Sequence, residues 1–188
     1  SQGSRSAAGT ATDPLALAVS EDTGSLSGGE TIEISGRHLT GVTEVRFGGV
    51  PATAVSSDAG VVSVVVPAAE SFVADTVAVT VHTRTELVDT AEPLTWSYAT
   101  VTSVDRQLAY ALTHWSTYNS AQFGDLNPIG GDCMNFVSQT LLARGWVMTD
   151  EWYSADGGAR WGDPWGHVPS FDEWLRTHPE YGATTVAL

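Results

Sequence analysis

At 188 residues the chain is long enough for one medium domain or two small ones. Its 22 acidic residues face only 8 basic ones, all arginine, and the net charge of −14 excludes the clustered positive charge that nucleic acid or an anionic membrane demands. The 42% hydrophobic content can build a core, yet no apolar run reaches the roughly 18 residues of a membrane span.

The acidity is spread along the chain and reads as a solvated surface. A composition without lysine, rich in Ala, Val, Thr and Gly, points to a GC-rich coding genome and says nothing of function. A single cysteine rules out an internal disulfide framework and defines no redox compartment. Residues 1–13 are small and polar with no apolar centre, so they read as a linker or a cloning remnant rather than a signal peptide. A secreted or cell-surface protein would have lost its signal from this chain.

From Leu15 to Tyr98 the pattern is all-β. Runs alternating with period two occur at 31–35, 44–47, 61–66 and 76–81. Gly28-Gly29, Gly36, Gly48-Gly49, Pro51, Pro67 and Pro93 break them at intervals that suit a sandwich of short strands. Arg84-Thr85-Glu86 reads as a polar hairpin tip, and His38 and His82, with no partner at ligand spacing, as loop or strand histidines. The succession Gly28-Gly29 to Gly36, Val45-Arg46-Phe47-Gly48-Gly49, Val66-Pro67 and Trp96-Ser97-Tyr98 resembles the IPT/TIG family of immunoglobulin-like domains. The resemblance covers 14–98 and implies a spacer, interaction or stabilising module without chemistry of its own.

Beyond Tyr98 the period changes. Thr102-Ser103-Val104-Asp105 reads as a capping box, and Leu108, Ala111, Leu112, Trp115 and Tyr118 form one apolar stripe of a helix over about 103–118. A loop rich in Gly, Asn and Pro follows, from Asn119 to Gly131. Asp132 is a good N-cap, residues 133–144 are compatible with helix, and Gly145 supplies the stop. The only cysteine, Cys133, therefore falls in the first turn, where the helix dipole and unpaired N–H groups favour a thiolate. Val137, Leu141 and Arg144 share its face, and the helix as a whole reads as mostly buried. The bland alternative is a buried structural cysteine. Residues 149–168 lack periodicity and carry Trp152, Tyr153, Trp161 and Trp165, which suit either a substrate groove or anchors for an irregular segment. Ser170 reads as the cap of a short helix holding Phe171, Trp174 and Leu175 and ending at Pro179.

Asp132-Cys133-Met134-Asn135-Phe136-Val137-Ser138-Gln139, preceded by Asn127-Pro128 and Gly130, resembles the signature of the bacterial putative amidase domain family. It resembles more distantly the secreted cell-wall cysteine peptidases with a papain-like core, and the match spans about 101–188. The resemblance implies a Cys133 nucleophile at the start of a central helix, packed on an antiparallel sheet that carries the histidine. Asp132 would cap the helix; Asn135 and Gln139 would brace the site. His167 is the candidate base within the chain, ahead of His114 and of His178 beside Pro179, although the family's histidine would fall beyond Leu188 and the domain would then be incomplete.

The expected architecture is thus two domains: an all-β immunoglobulin-like sandwich over 14–98, and over 99–188 the helical N-terminal half of an α+β papain-like domain. The expected function is a cysteine-dependent amidase or peptidase acting on an amide, such as a cell-wall peptide, at the bacterial cell envelope. No metal, organic cofactor or nucleic acid is implied. The competing reading is a non-catalytic surface interaction or scaffold protein with a vestigial hydrolase domain; a carbohydrate-binding module using exposed tryptophans is a third.

Overall fold

A computed structural model describes residues 13–129 and 131–182. The expected linker over 1–13 thus lies outside the described residues, apart from Asp13. The chain divides into two compact units between Val101 and Thr102. The first is a β-sandwich and the second is mainly helical.

Ten strands build the first unit: β1 (Leu15–Val19), β2 (Thr23–Ser25), β3 (Thr31–Arg37), β4 (Val42–Phe47), β5 (Val50–Pro51), β6 (Ala54–Ser57), β7 (Val61–Val65), β8 (Thr76–Thr83), β9 (Asp89–Thr90) and β10 (Thr95–Ala99). They form two five-stranded sheets, ordered β6-β7-β3-β1-β9 and β2-β10-β8-β4-β5. Most pairs are antiparallel; β1 with β9 and β10 with β2 run parallel. The only helical turns described here are single 3-10 turns at Leu39–Gly41 and Glu70–Phe72.

Alternation along the strands decides which side chains face the core. Ile32 and Ile34, Val45 and Phe47, Val62 and Val64, Val79 and Val81 are all buried, as the period-two runs require. Trp96 and Tyr98 do the same on β10, with Trp96 edge-on to Phe47 at 5.9 Å and to Tyr98 at 6.2 Å. The tip at 84–86 is a turn closed by Thr83 N–H donating to the Glu86 carbonyl at 3.0 Å. His38 is an exposed residue in the left-handed region, and His82 is bonded to Thr80 Oγ1 at 2.9 Å.

Tyr98 also ties the sandwich together with its hydroxyl, which donates to the Pro67 carbonyl at 3.0 Å. Burial, reinforced by the nearby Glu30 carboxylate, pushes this phenol up to about 12. The unfolded chain ionises Tyr near pH ~10, so between the two values the folded state retains a proton that the unfolded state has lost. This contribution to stability is whole below pH ~10 and is lost as pH rises towards about 12. Denaturant melts across pH 9–12 should show a falling stability in the wild type and a shallower fall in Tyr98→Phe; equal slopes would remove Tyr98 from the account.

The second unit holds α1 (Ser103–His114), α2 (Ser120–Phe123), α3 (Cys133–Arg144), a two-stranded ribbon of β11 (Ser154–Ala155) and β12 (Arg160–Trp161), α4 (Asp163–Gly166) and α5 (Val168–Thr177). The capping box forms: Asp105 N–H donates to Thr102 Oγ1 at 3.0 Å, and Thr102 N–H to Asp105 Oδ2 at 2.8 Å. Helix α1 stops at His114, four residues short of the expected end. Trp115 is 68% and Tyr118 48% exposed, so the far end of the apolar stripe has little packing to extend the helix. Helix α5 starts before Ser170, which is an internal residue rather than the cap read from the sequence. None of the described helices is long and apolar enough to cross a membrane.

Candidate active site

Helix α3 begins where its sequence says it should. Gly131 adopts φ 121°, and Cys133 is the first helical residue, exposed and unoxidised. The helix closes on Gly145 at φ 112°, a left-handed position that favours glycine. There Trp146 N–H donates to the Leu141 carbonyl and Gly145 N–H to that of Leu142, at 3.1 and 3.0 Å, the paired bonds of a Schellman stop.

Asp132 occupies the N-cap position but does not cap. Its ψ of 4° lies outside the extended region from which a cap side chain reaches the first-turn N–H groups, and no such bond forms. Its carboxylate turns back instead. Oδ1 accepts Leu126 N–H at 3.0 Å and Asn135 Nδ2 at 2.8 Å, in a side chain only 3% exposed. The other oxygen, Oδ2, is buried with no partner among the described residues.

Much of the buried surface of α3 is polar, although Met134 is buried too and Leu141 and Leu142 pack partly against the aromatic core. Asn135, Ser138 and Gln139 are buried, while Cys133 and Val137 face solvent. Indole N–H groups explain this inversion. Asn135 Oδ1 accepts Trp165 Nε1 at 2.7 Å, and Ser138 Oγ accepts Trp152 Nε1 at 3.0 Å while donating to the Trp165 carbonyl at 2.8 Å. Asn135 Nδ2 also reaches the Phe123 carbonyl at 3.4 Å. On the α1 side, Tyr110 donates its hydroxyl to Gln139 Oε1 at 2.7 Å. Buried polar groups satisfied in this way hold one arrangement, because any other strands them.

The tryptophans of 149–168 are therefore divided in role. Trp152 and Trp165 are fully buried and join Trp174 and Phe123 in an aromatic core. Trp161 is only partly buried and forms, with Asp163, Gly166 and His167, one wall of a cleft of about 360 Å³. Leu126, Ile129 and Gly131 form the other. Gly131 lies two residues before Cys133, so the cleft adjoins the N-terminal end of α3.

His167 lines this cleft, exposed, with Nδ1 bonded to Ser170 Oγ at 2.9 Å. His114 is bonded to the Thr117 carbonyl at 3.3 Å, and His178 to that of Trp174 at 2.8 Å. None of these rings is hydrogen-bonded to the Cys133 sulfur. The structure brings Asp132 and Asn135 together, joins Gln139 to α1, and leaves His167 and Cys133 without a direct bond. Ser138 and Tyr110 belong to the same framework and were missed in the sequence. The signal for Ser138 was its place in a polar i, i+3, i+4 stripe with Asn135 and Gln139; nothing marked Tyr110. Among the described residues no group of three or more His, Cys, Asp or Glu could hold a metal ion.

Replacing Asn135 with Ala strands the Trp165 N–H and one acceptor of Asp132 together. The expected cost is about 3 kcal/mol, from two buried groups at roughly 1–3 kcal/mol each. Asn135→Asp should be worse at neutral pH, since it sets a second carboxylate beside Asp132, and should recover in part as acid neutralises one of the pair. Urea melts followed by tryptophan fluorescence at pH 7 and 5 test both; an Asn135→Ala loss below about 1 kcal/mol would show that the network is slack.

The model of the IPT/TIG domain matches residues 14–98, and that of the family described as "Putative amidase domain" matches residues 97–187. No curated protein matches the chain. A solved structure, SGBP-B of the Bacteroides ovatus mixed-linkage glucan utilization locus in complex with a mixed-linkage heptasaccharide, aligns with 47% of the chain at 17% identity and a TM-score of 0.38. The aligned part is 23% of that chain, and a likeness this slight carries no inference about the present one. The chain therefore carries an IPT/TIG domain over residues 14–98 followed by a putative amidase domain over residues 97–187.

Proposed function

We propose that the chain is a cysteine-dependent amidase or peptidase in which Cys133 is the nucleophile and α3 the central helix of a papain-like core. One observation carries this reading. The only cysteine is the solvent-facing first residue of a helix, beside a cleft, in a domain that matches an amidase model. A thiol buried among apolar side chains would be inert, and Cys133 is not placed so.

In the reaction the Cys133 sulfur attacks the amide carbonyl carbon. The C–S bond forms, the C–N bond breaks, and the amine leaves with a proton from the base; water then cleaves the thioester to the acid. The unbonded N–H groups of the first helical turn are suited to hold the oxyanion. Asp132, Asn135 and Gln139 act as positioning residues, fixing the helix end to the 123–126 loop and to α1.

The base is a histidine carried by an element outside the described residues that packs over the Cys133–Val137 face. Two observations support this: Val137 is 41% exposed on that face, and none of His114, His167 and His178 is hydrogen-bonded to Cys133, each holding another partner through Nδ1. The substrate is an amide of the cell envelope, such as a wall peptide, and the IPT/TIG domain serves as a spacer at the cell surface.

Iodoacetamide should alkylate Cys133 at pH 7 about tenfold or more faster than free cysteine. His167→Asn should leave that rate unchanged. Release of free amine from wall peptides should disappear in Cys133→Ala. Alkylation no faster than free cysteine, with no amine released, would support instead a non-catalytic interaction protein.

A further inference from the structure

We propose that the cleft beside the α3 N-terminus binds an aliphatic arm ending in a primary ammonium group. It rests on the nucleophile reading only in assigning that arm to the amide substrate; the binding itself does not depend on it. Two kinds of wall meet there. Leu126, Ile129 and Trp161 supply apolar surface, and Asp163 supplies the single formal charge among the described lining residues. The volume of about 360 Å³ suits one side chain rather than a polymer.

An ammonium group is the chemistry that uses both walls. It can lie against the face of Trp161 while pairing with the Asp163 carboxylate, and its methylene stem covers Leu126 and Ile129. Among the described residues no arginine lines the cleft to compete for Asp163. The arginine next to Trp161, Arg160, is already paired with Asp156 at 2.6 Å.

A second carboxylate lies behind the opposite wall. Asp132 is 3% exposed, its Oδ1 holds the N–H of the wall residue Leu126, and its Oδ2 has no partner among the described residues. Two carboxylates bordering one cleft make it a poor site for an anion. Asp163 is exposed, so a neutral apolar arm would gain the apolar contacts and leave the carboxylate hydrated, without the attraction that an ammonium adds.

Gly166 keeps the space between Trp161 and Leu126 open. A Cβ there would stand 2.8 Å from the Trp161 ring and 2.9 Å from Leu126 Cδ1, closer than real contacts allow. A methyl group at this position must therefore push the two walls.

The test is an indole ¹H–¹⁵N titration of the full chain with three Nα-acetyl amino-acid methylamides: lysine, norleucine and glutamate. Trp161→Phe assigns the Trp161 signal. The lysine compound should shift that signal and bind about tenfold or more tightly than norleucine, with glutamate weakest. Asp163→Asn should reduce lysine to the norleucine level, Asp163→Glu should restore part of the preference, and Gly166→Ala should weaken lysine and norleucine alike. Glu180→Gln, the same change of charge at an exposed site outside the cleft, should leave the preference intact. Equal binding of lysine and norleucine, a preference that survives Asp163→Asn, one that Glu180→Gln also removes, or no Trp161 shift with any compound would overturn the proposal. Cys133→Ala should bind as the wild type does. A selective cleft with a slow-alkylating thiol therefore sustains this inference and sinks the nucleophile reading alone.

Discussion

A buried carboxylate governs the second unit. Asp132 is almost fully enclosed, and a carboxylate in that position needs hydrogen-bond donors or it destabilises the fold by several kcal/mol. It takes them from Leu126 N–H and Asn135 Nδ2, and both choices have consequences. The first pins the loop before α3 to the helix start. The second orients Asn135, whose other end accepts Trp165 Nε1 and so seats the Trp-rich segment. One acidic side chain thus ties together the loop, the helix end and the aromatic core, turned away from the first-turn N–H groups by its own backbone conformation.

The two units are stabilised by different means. In the sandwich, alternating valines, isoleucines and aromatics bury themselves on facing sheets in a mainly apolar core, with Ser25 buried as well and the Trp96 indole N–H without a partner among the described residues. In the helical unit the apolar material is mostly aromatic, and indoles carry a donor that must be met when buried. Asn135 and Ser138 meet two of them, at the expense of a conventional apolar helix face. Trp174 Nε1 stays unpaired among the described residues, so the satisfaction is not complete. Packing of this kind is less tolerant of substitution, because each polar atom has one geometry that suits it.

That contrast explains what was legible in the sequence. Period-two alternation belongs to the strand itself, so β3, β4, β7 and β8 could be read from single runs, and the Thr102–Asp105 capping box and the Gly145 stop are equally local signals. The buried face of α3 was not legible, since it depends on partners about 14 to 30 residues away, Trp152 and Trp165, whose N–H groups attract polar side chains inward. The cap reading of Asp132 failed for the same reason: Leu126 N–H, six residues upstream, outbid the first turn of its own helix. The helix start at Cys133 was nonetheless placed correctly, because the break at Gly131 and the stop at Gly145 are local backbone signals. The motif could not divide the tryptophans between core and cleft, which hangs on whether each ring finds an acceptor on α3.

The inverted face of α3 has a mechanical consequence for its first residue. The side-chain hydrogen bonds made by Asp132, Asn135, Ser138 and Gln139 hold the helix from other sides than the exposed Cys133 and Val137. The exposed Cys133 therefore stands on a helix end that Asp132 and Asn135 anchor to the loop before it. A reactive group gains from rigid support and open approach together, and those demands conflict when the same face must provide both. On α3 the two tasks fall to different residues: buried Asn135, Ser138 and Gln139 supply the support, and Cys133 and Val137 are exposed, the division that the proposed nucleophile role would need.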